Sequence, residues 1–214
     1  TRVAVAFDAA VNKVIQQANT QYNFPQAGAT GGAATHYGLW TAQSGGVFLG
    51  GGGLNNGITI NPGGVPKLLA GEIVVSYGLN VGASIANYGA SKLLDTAFRN
   101  QVYSPPTITI ALVTVESNDF TIGTEVSGGS YARLAIPDWD AAVADTGLGK
   151  ATTANTTQKT FNTATADWGN VKGQAIMEGG TSNMLFYGND VVDQDVGNGD
   201  TTQFPIGNLT VTLS

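Results

Sequence analysis

Thr107-Ile-Thr-Ile-Ala-Leu-Val-Thr-Val115 decides the fold class. All but Ala111 and Leu112 branch at Cβ, which crowds a helix and suits a pleated strand. Working outward, comparable runs recur at Ile58-Thr-Ile60, Glu72-Ile-Val-Val-Ser-Tyr77, Tyr131-Ala-Arg-Leu-Ala-Ile136, Gly173-Gln-Ala-Ile-Met177, Met184-Leu-Phe-Tyr187 and Leu209-Thr-Val-Thr-Leu213. Short apolar runs cut by Gly, Asn, Asp and Pro predict a mainly β, sandwich-like fold. Two segments read instead as helices. Apolar residues from Ala9 to Ala18 recur at three- and four-residue spacing behind Asp8, a candidate N-cap, and Leu93, Leu94, Ala97 and Phe98 repeat the stripe within Ser91–Phe98.

Comparing the chain with itself gives two related halves. Gly45-Gly46, Leu49, Gly52, Gly63 and Gly71 are matched in order by Gly179-Gly180, Leu185, Gly188, Gly199 and Gly207. Upstream, the stretch from Asn12 to Ala18 parallels that from Ser91 to Ala97. The expected architecture is two tandem β-sandwich-like domains, each with one N-terminal helix: a shortened module over residues 1–80, ending near Gly78 or Asn80, and a fuller one over residues 84–214. The second carries extra strands between Thr107 and Thr165. The Thr- and Asn-rich stretch at 146–165 reads as a long sandwich loop with part of a strand near Thr160-Phe161.

Composition narrows the function. The 214 residues include 30 Gly, one His and no Cys, with 42% hydrophobic and only 11% charged side chains, where roughly 25% charged is usual. A surface so poor in charge suits permanent contact with other subunits. The net charge of −6 offers no basic stripe for nucleic acid or for an anionic membrane. The absence of Cys removes thiolate chemistry and Cys-ligated zinc. No apolar run of about 20 residues and no basic-then-apolar start is present, so a soluble product not secreted by the usual route is expected, with Thr1 exposed by loss of an initiator Met.

Reactive constellations are sparse. His36 stands alone, without a Gly-x-Ser-x-Gly elbow, so it is read as a strand-end or interface residue. The glycines at 50–53 lack the Lys and Ser/Thr of a phosphate loop and read as close strand packing. Asp138 and Asp140 flank Trp139, an acid–aromatic grouping able to meet a sugar ring. Its alternative role is as a packing or interface anchor. The most metal-like segment contains Asp193, Asp195, Asn198 and Asp200, oxygen ligands at a spacing compatible with Ca²⁺, yet without an EF-hand pattern. A solvated turn is the default reading there. No catalytic residue, cofactor or resident metal is expected.

One motif has its own logic. In Glu125-Val-Ser-Gly-Gly-Ser-Tyr-Ala-Arg133, the Ser-Gly-Gly supplies a turn open to positive φ. Beyond it, Tyr131, Arg133 and Ala135 are expected on one face and Ala132, Leu134 and Ile136 on the other. Arg133 then either pairs with Glu125 or lays its stem over Tyr131. With the upstream stretch from Ile110 to Phe120, the pair Gly179-Gly180, then Met184-Leu185 and Ile206-Gly-Asn-Leu209, this motif resembles a group of tailed-phage virion proteins described as tail fibre, capsid fibre or head decoration proteins. The resemblance covers roughly residues 84–214; the first half lacks the motif. It implies a non-enzymatic structural protein of the virion, made in the host cytoplasm and assembled on the particle. Its expected partners are the major capsid protein or tail proteins, together with further copies of itself. A capsid decoration or cement role comes first, and a tail-fibre or baseplate component touching host glycans through Asp138, Trp139 and Asp140 second.

Overall fold

The structure, a computed structural model, describes residues 2–29, 31–76, 83–105, 107–145 and 150–213. Strands take 43% of the described residues and helix 7%, in several sheets, so the fold is mainly β and sandwich-like. Contacts divide it into two compact units: residues 1–77 with Ser91–Val102, and residues 78–90 with Tyr103–Ser214. The expected boundary at Gly78 or Asn80 lies outside the described residues.

In the first unit the strands are β1 (Val14–Gln16), β2 (Tyr22–Asn23), β3 (Gly32–Trp40), β4 (Phe48–Ile60), β5 (Lys67–Leu68) and β6 (Val74–Ser76). They pair antiparallel as β1 with β6, β2 with β5 and β3 with β4, each as a separate two-stranded sheet. After β7 (Ala83–Ile85) comes α1 (Asn87–Arg99), which the division between the units crosses. Then follow β8 (Ile108–Val115), β9 (Thr124–Glu125), β10 (Leu134–Ala135), β11 (Val143–Asp145), β12 (Lys150–Ala154), β13 (Lys159–Thr160), β14 (Gly169–Glu178), β15 (Met184–Val196), β16 (Gln203–Phe204) and β17 (Thr210–Leu213). A six-stranded sheet runs β10-β8-β14-β15-β7 with β9 also on β8, beside a β11-β12-β17 sheet and the pair β13-β16.

The helix expected over Ala9–Ala18 is not formed. That segment is a hairpin: Val11 and Val14 exchange backbone hydrogen bonds of 2.8 and 3.0 Å, and Phe7 pairs with Gln17. Asn12 and Lys13 take φ of 51° and 63°, the two left-handed residues of a tight hairpin turn, a conformation Asn tolerates better than most residues. Asp8 donates its N–H to Gln16 O and caps nothing. Helical spacing of small and β-branched residues was outvoted by the turn and by the period-two run Val3, Val5, Phe7. The second predicted helix is real and longer, Asn87–Arg99 rather than Ser91–Phe98. Its amphipathic face buries Ala90 and Leu94, and Asn100, at φ 53°, ends it. The parallel drawn between the segments at 12–18 and 91–97 therefore joins a strand hairpin to a helix and falls away.

The downstream parallel is reproduced residue by residue. In β3–β4, Gly32 faces Ile60, Ala34 faces Ile58, His36 faces Gly53 and Trp40 faces Phe48. In β14–β15, Gly169 faces Val196, Val171 faces Gln194, Gly173 faces Asn189 and Met177 faces Met184. The two hairpins share one register, with the same irregularity after Ala34 and after Val171. Each starts on a left-handed glycine, Gly32 at φ 73° and Gly169 at 82°. The pairs β2-β5 and β1-β6 recur as β13-β16 and β12-β17. The bridge Phe7–Gln17 recurs as Trp139–Asn155. Even a buried amide is repeated: Gln17 Nε2 donates to Leu69 O (2.9 Å) and Asn155 Nδ2 to Pro205 O (3.0 Å).

Core formation differs sharply. Ile110, Leu112, Val126, Ile136, Phe161, Trp168, Val171, Val196 and Leu209 form one buried cluster, and Ala86, Ala111, Ala175, Met177, Met184 and Tyr187 another. Both lie in the second unit. The first unit buries Ile15, Leu68, Ile73 and Leu94 among its described residues.

Candidate functional site

The Glu125–Arg133 motif is a structural clamp. Gly128, Gly129 and Ser130 all take positive φ, and the Tyr131 N–H donates to Gly128 O at 2.8 Å. The strand expected from Tyr131 is shorter than the sequence suggests: Leu134 and Ala135 pair with β8, and the Ile136 N–H donates to Ile108 O. Tyr131 and Arg133 instead converge on Glu125. Arg133 donates from Nε to Oε1 (2.8 Å) and from Nη2 to Oε2 (2.7 Å), a bidentate pair, while Nη1 reaches Thr181 O (2.7 Å) beside the Gly179-Gly180 turn. Tyr131 donates to Glu125 Oε1 (3.0 Å) and accepts from the Leu112 N–H (2.9 Å). Its ring stacks on Phe161 and meets Trp168 edge-on. Burial above all pushes the Tyr131 phenol well above its usual range, and the hydrogen bond to Glu125 raises Arg133. Every polar atom named here is engaged within the fold, so the clamp positions chain segments and presents no nucleophile.

The acid–aromatic trio is divided among three environments. Asp138 accepts from Lys159 Nζ and from the hydroxyls of Thr157 and Thr156. The Lys159 contact first, then Thr157, lowers its carboxyl from 3.8 to about 2. Trp139 is half-buried against the larger core cluster. Asp140 is exposed, with its backbone N–H on Ala154 O.

The acidic segment is similarly dispersed. Asp193 lies 3.6 Å from Lys172 Nζ, Asp195 accepts from Asn170 Nδ2 (3.0 Å), and Asp200 accepts from the Gly197 N–H (2.9 Å) within its own turn. Among the described residues no three His, Cys, Asp or Glu side chains are grouped to hold a metal.

The first unit offers a surface of another kind, missed in the sequence reading. No Lys, Arg, Asp or Glu occurs between Lys13 and Lys67. Within that stretch Trp40, Val47, Phe48, Leu49 and Val65 are all at least 40% exposed. Trp40 and Phe48 pack together at 5.1 Å, with the Arg2 guanidinium 3.8 Å over the indole. One side of the hairpin borders an open cavity of about 770 Å³ with Phe7, Phe24, His36, Trp40, Leu68 and Phe98 among its walls. His36 is exposed on β3, its Nδ1 2.9 Å from Thr35 Oγ1. The glycines at 50–53 lie in β4, where Gly51 and Gly52 approach Tyr37 so closely that added Cβ atoms would collide with it. The missing charge was the legible signal.

Residues 1–76 and 84–212 match a family model described as Podophage GP4 fiber I protein gp80, and the chain belongs to that family. No curated protein matches it. It is thus a phage structural fibre protein, a component of the virion associated with other parts of the particle. No helix among the described residues is long and apolar enough to cross a membrane.

Proposed function

We propose that this fibre-family protein is a non-enzymatic decoration or cement subunit on the outer shell of the phage head, with residues 1–80 and 84–214 acting as two related modules. The observation that carries this reading is the placement of apolar surface. Among the described residues, ten of the fourteen exposed large apolar side chains belong to the first unit, the smaller of the two. Exposed apolar surface in a stretch without charge marks a face that is covered in use. A shell of many identical subunits gains from such faces, because modest contacts repeated over a lattice add by avidity. The second unit has its own cores and a fully engaged Glu125 clamp, so it needs no partner to hold its shape.

Particle imaging with antibody labelling tests the location: label on the head supports the proposal, and label confined to the tail overturns it. Heads stripped of the protein are expected to rupture at lower temperature than decorated heads, and equal rupture temperatures would remove the cement mechanism.

A further inference from the structure

The repeat gives the open cavity of the first unit a counterpart. Six of its walls, Phe7, Phe24, Ala34, Ile60, Leu68 and Ile73, hold the register positions of Trp139, Phe161, Val171, Val196, Phe204 and Leu209. Phe7 bridges to Gln17 as Trp139 does to Asn155, and Tyr22 faces Leu68 as Lys159 faces Phe204. The Phe24 N–H donates to Pro66 O as that of Phe161 does to Thr202 O, and Ile73 O accepts from Gln17 as Leu209 O does from Asn155. Ala34 and Ile60 are matched through the register of the two hairpins. In the second unit these six positions belong to the larger core cluster or pack against it. There the core is completed by Ile110 and Leu112 of β8 with Val126, Tyr131 and Ile136, together with Trp168. Among the described residues no segment of the first unit takes the place of β8 beside β3. The position of Trp168 is Gly31, each giving its N–H to the far end of the hairpin, at Val196 O and Ile60 O. A Cβ on Gly31 would already crowd Ile60 at 2.9 Å.

We propose that this cavity is an acceptor site for an extended, uncharged segment of a different protein of the particle, one with large apolar side chains at alternate positions, which lies along β3 and inserts those side chains among Phe7, Phe24 and Leu68. The second unit specifies the occupant's chemistry. There β8 pairs along β14 from Gly173 to Glu178, and Ile110 and Leu112 enter the larger core while Ala111 between them joins the other cluster. The matching stretch of β3 and its end runs from His36 to Thr41, and every residue of it borders the cavity. An inserted strand pairs with that edge while its alternate side chains fill the space, the two contributions that strand addition combines. Among the described residues Arg2 is the one charged side chain at the cavity. It is held over Trp40 and by the carbonyls of Ala42 and Gly45, so a charge inserted among the apolar walls finds no partner to offset its desolvation. The chain's own run of this pattern is not free to fill the site, since Ile110, Ala111, Leu112 and Val113 are at most 2% exposed in the second unit. That points to another protein as donor. A small apolar molecule suits the volume of about 770 Å³ but leaves the β3 edge bare, whereas one inserted strand covers edge and cavity together. The site is the same for a head or a tail location, so it stands or fails separately from the outer-shell reading.

A synthetic peptide of the Thr107–Val115 sequence, carrying a lysine tail for solubility, stands in for the donor in calorimetric titration of the full chain. Saturable binding is expected, weakened at least roughly 100-fold when the peptide carries Ile110→Asp and Leu112→Asp. Binding is also expected to be lost in the protein variant Ala34→Phe, which fills the cavity from its β3 wall. Hydrogen exchange should show the peptide protecting amides between His36 and Thr41. Failure of the first peptide to bind, equal binding of the two peptides, unchanged binding to a folded Ala34→Phe variant, or binding without protection of β3 overturns the proposal. The peptide pair keeps the test decisive if Ala34→Phe does not fold. The source is read in intact particles by Gln43→p-benzoylphenylalanine at the cavity rim, irradiated and sequenced by mass spectrometry. A cross-link to an alternating apolar segment of a different particle protein is expected, and cross-links to copies of this chain alone, or none, overturn the proposal.

Discussion

β3–β4 and β14–β15 have the same register, the same irregularity and the same starting glycine, yet one has no further strand beside it among the described residues and the other is the middle of a six-stranded sheet. The difference teaches that a hairpin's shape and its stability have separate sources. Shape comes from turn glycines and cross-strand register, which both hairpins contain. Stability comes from what covers the faces and edges, which β7, β8 and α1 supply to one of them.

The strongest way to break this comparison is to truncate equivalent residues. Met177→Ala should destabilise the second unit by about 2–5 kcal/mol, the range for emptying a buried site. Trp40→Ala, although it removes a larger side chain, should cost the monomeric chain only about 1 kcal/mol, the scale of an exposed cation–π and ring contact. Urea unfolding followed separately for each unit checks this, and the reverse order of costs would end the argument from cover. Next in size is the clamp that has no counterpart in the first unit. Arg133→Ala removes three hydrogen bonds from a guanidinium whose side chain is 25% exposed, and after allowance for that solvent access the expected loss is about 2 kcal/mol. Arg133→Lys should recover less than half of it, since a point charge does not reproduce the fork.

The repeated amides sharpen the comparison where the two units agree. Gln17→Ala and Asn155→Ala each remove two hydrogen bonds from a buried amide to backbone carbonyls, at a cost of about 1–3 kcal/mol. Asn155→Ala should cost more, because Asn155 Oδ1 also accepts from the Leu209 N–H at 3.0 Å, whereas Gln17 Oε1 is buried without a partner among the described residues. Thermal unfolding of both variants gives the ranking. Asn12→Val should destabilise the first hairpin by about 1 kcal/mol, because a β-branched residue resists the left-handed φ that Asn accepts, and hydrogen exchange at Asp8 and Gln16 reports it. The smallest effect is a pH dependence confined to the second unit. Asp138 has a folded value lowered from 3.8 to about 2, so its contribution is complete above about pH 4 and disappears as pH falls towards 2. Asp138→Asn should flatten that limb of the urea midpoint against pH and leave the midpoint's pH dependence in the first unit unchanged.

Much of this was legible in the residues. The β-branched run at Thr107–Val115 became β8, the stripe at Ser91–Phe98 became α1, and matched glycines at Gly63 and Gly199, and at Gly71 and Gly207, all take positive φ. These are local properties, since a branched Cβ or a missing one restricts the same backbone angles wherever it occurs. The N-terminal segment misled because Ala and Val at helical spacing also fit a strand, and a two-residue turn at Asn12-Lys13 weighs more than the spacing does. Asp138, Trp139 and Asp140 are neighbours in sequence, but the engagement of Asp138 comes from Lys159, Thr156 and Thr157, which no reading of residues 138–140 contains.

By itself, then, the sequence determined the mainly β composition, the positions of the turns and the repeated pattern, because backbone preferences act over a few residues. Only the tertiary structure decided that Met177 is buried while Trp40 is exposed, that Arg133 bridges Glu125 to the turn after β14, and that one hairpin has neighbours on both edges. Burial and edge pairing depend on which distant segments arrive beside a strand, and a strand's own residues do not encode that arrival.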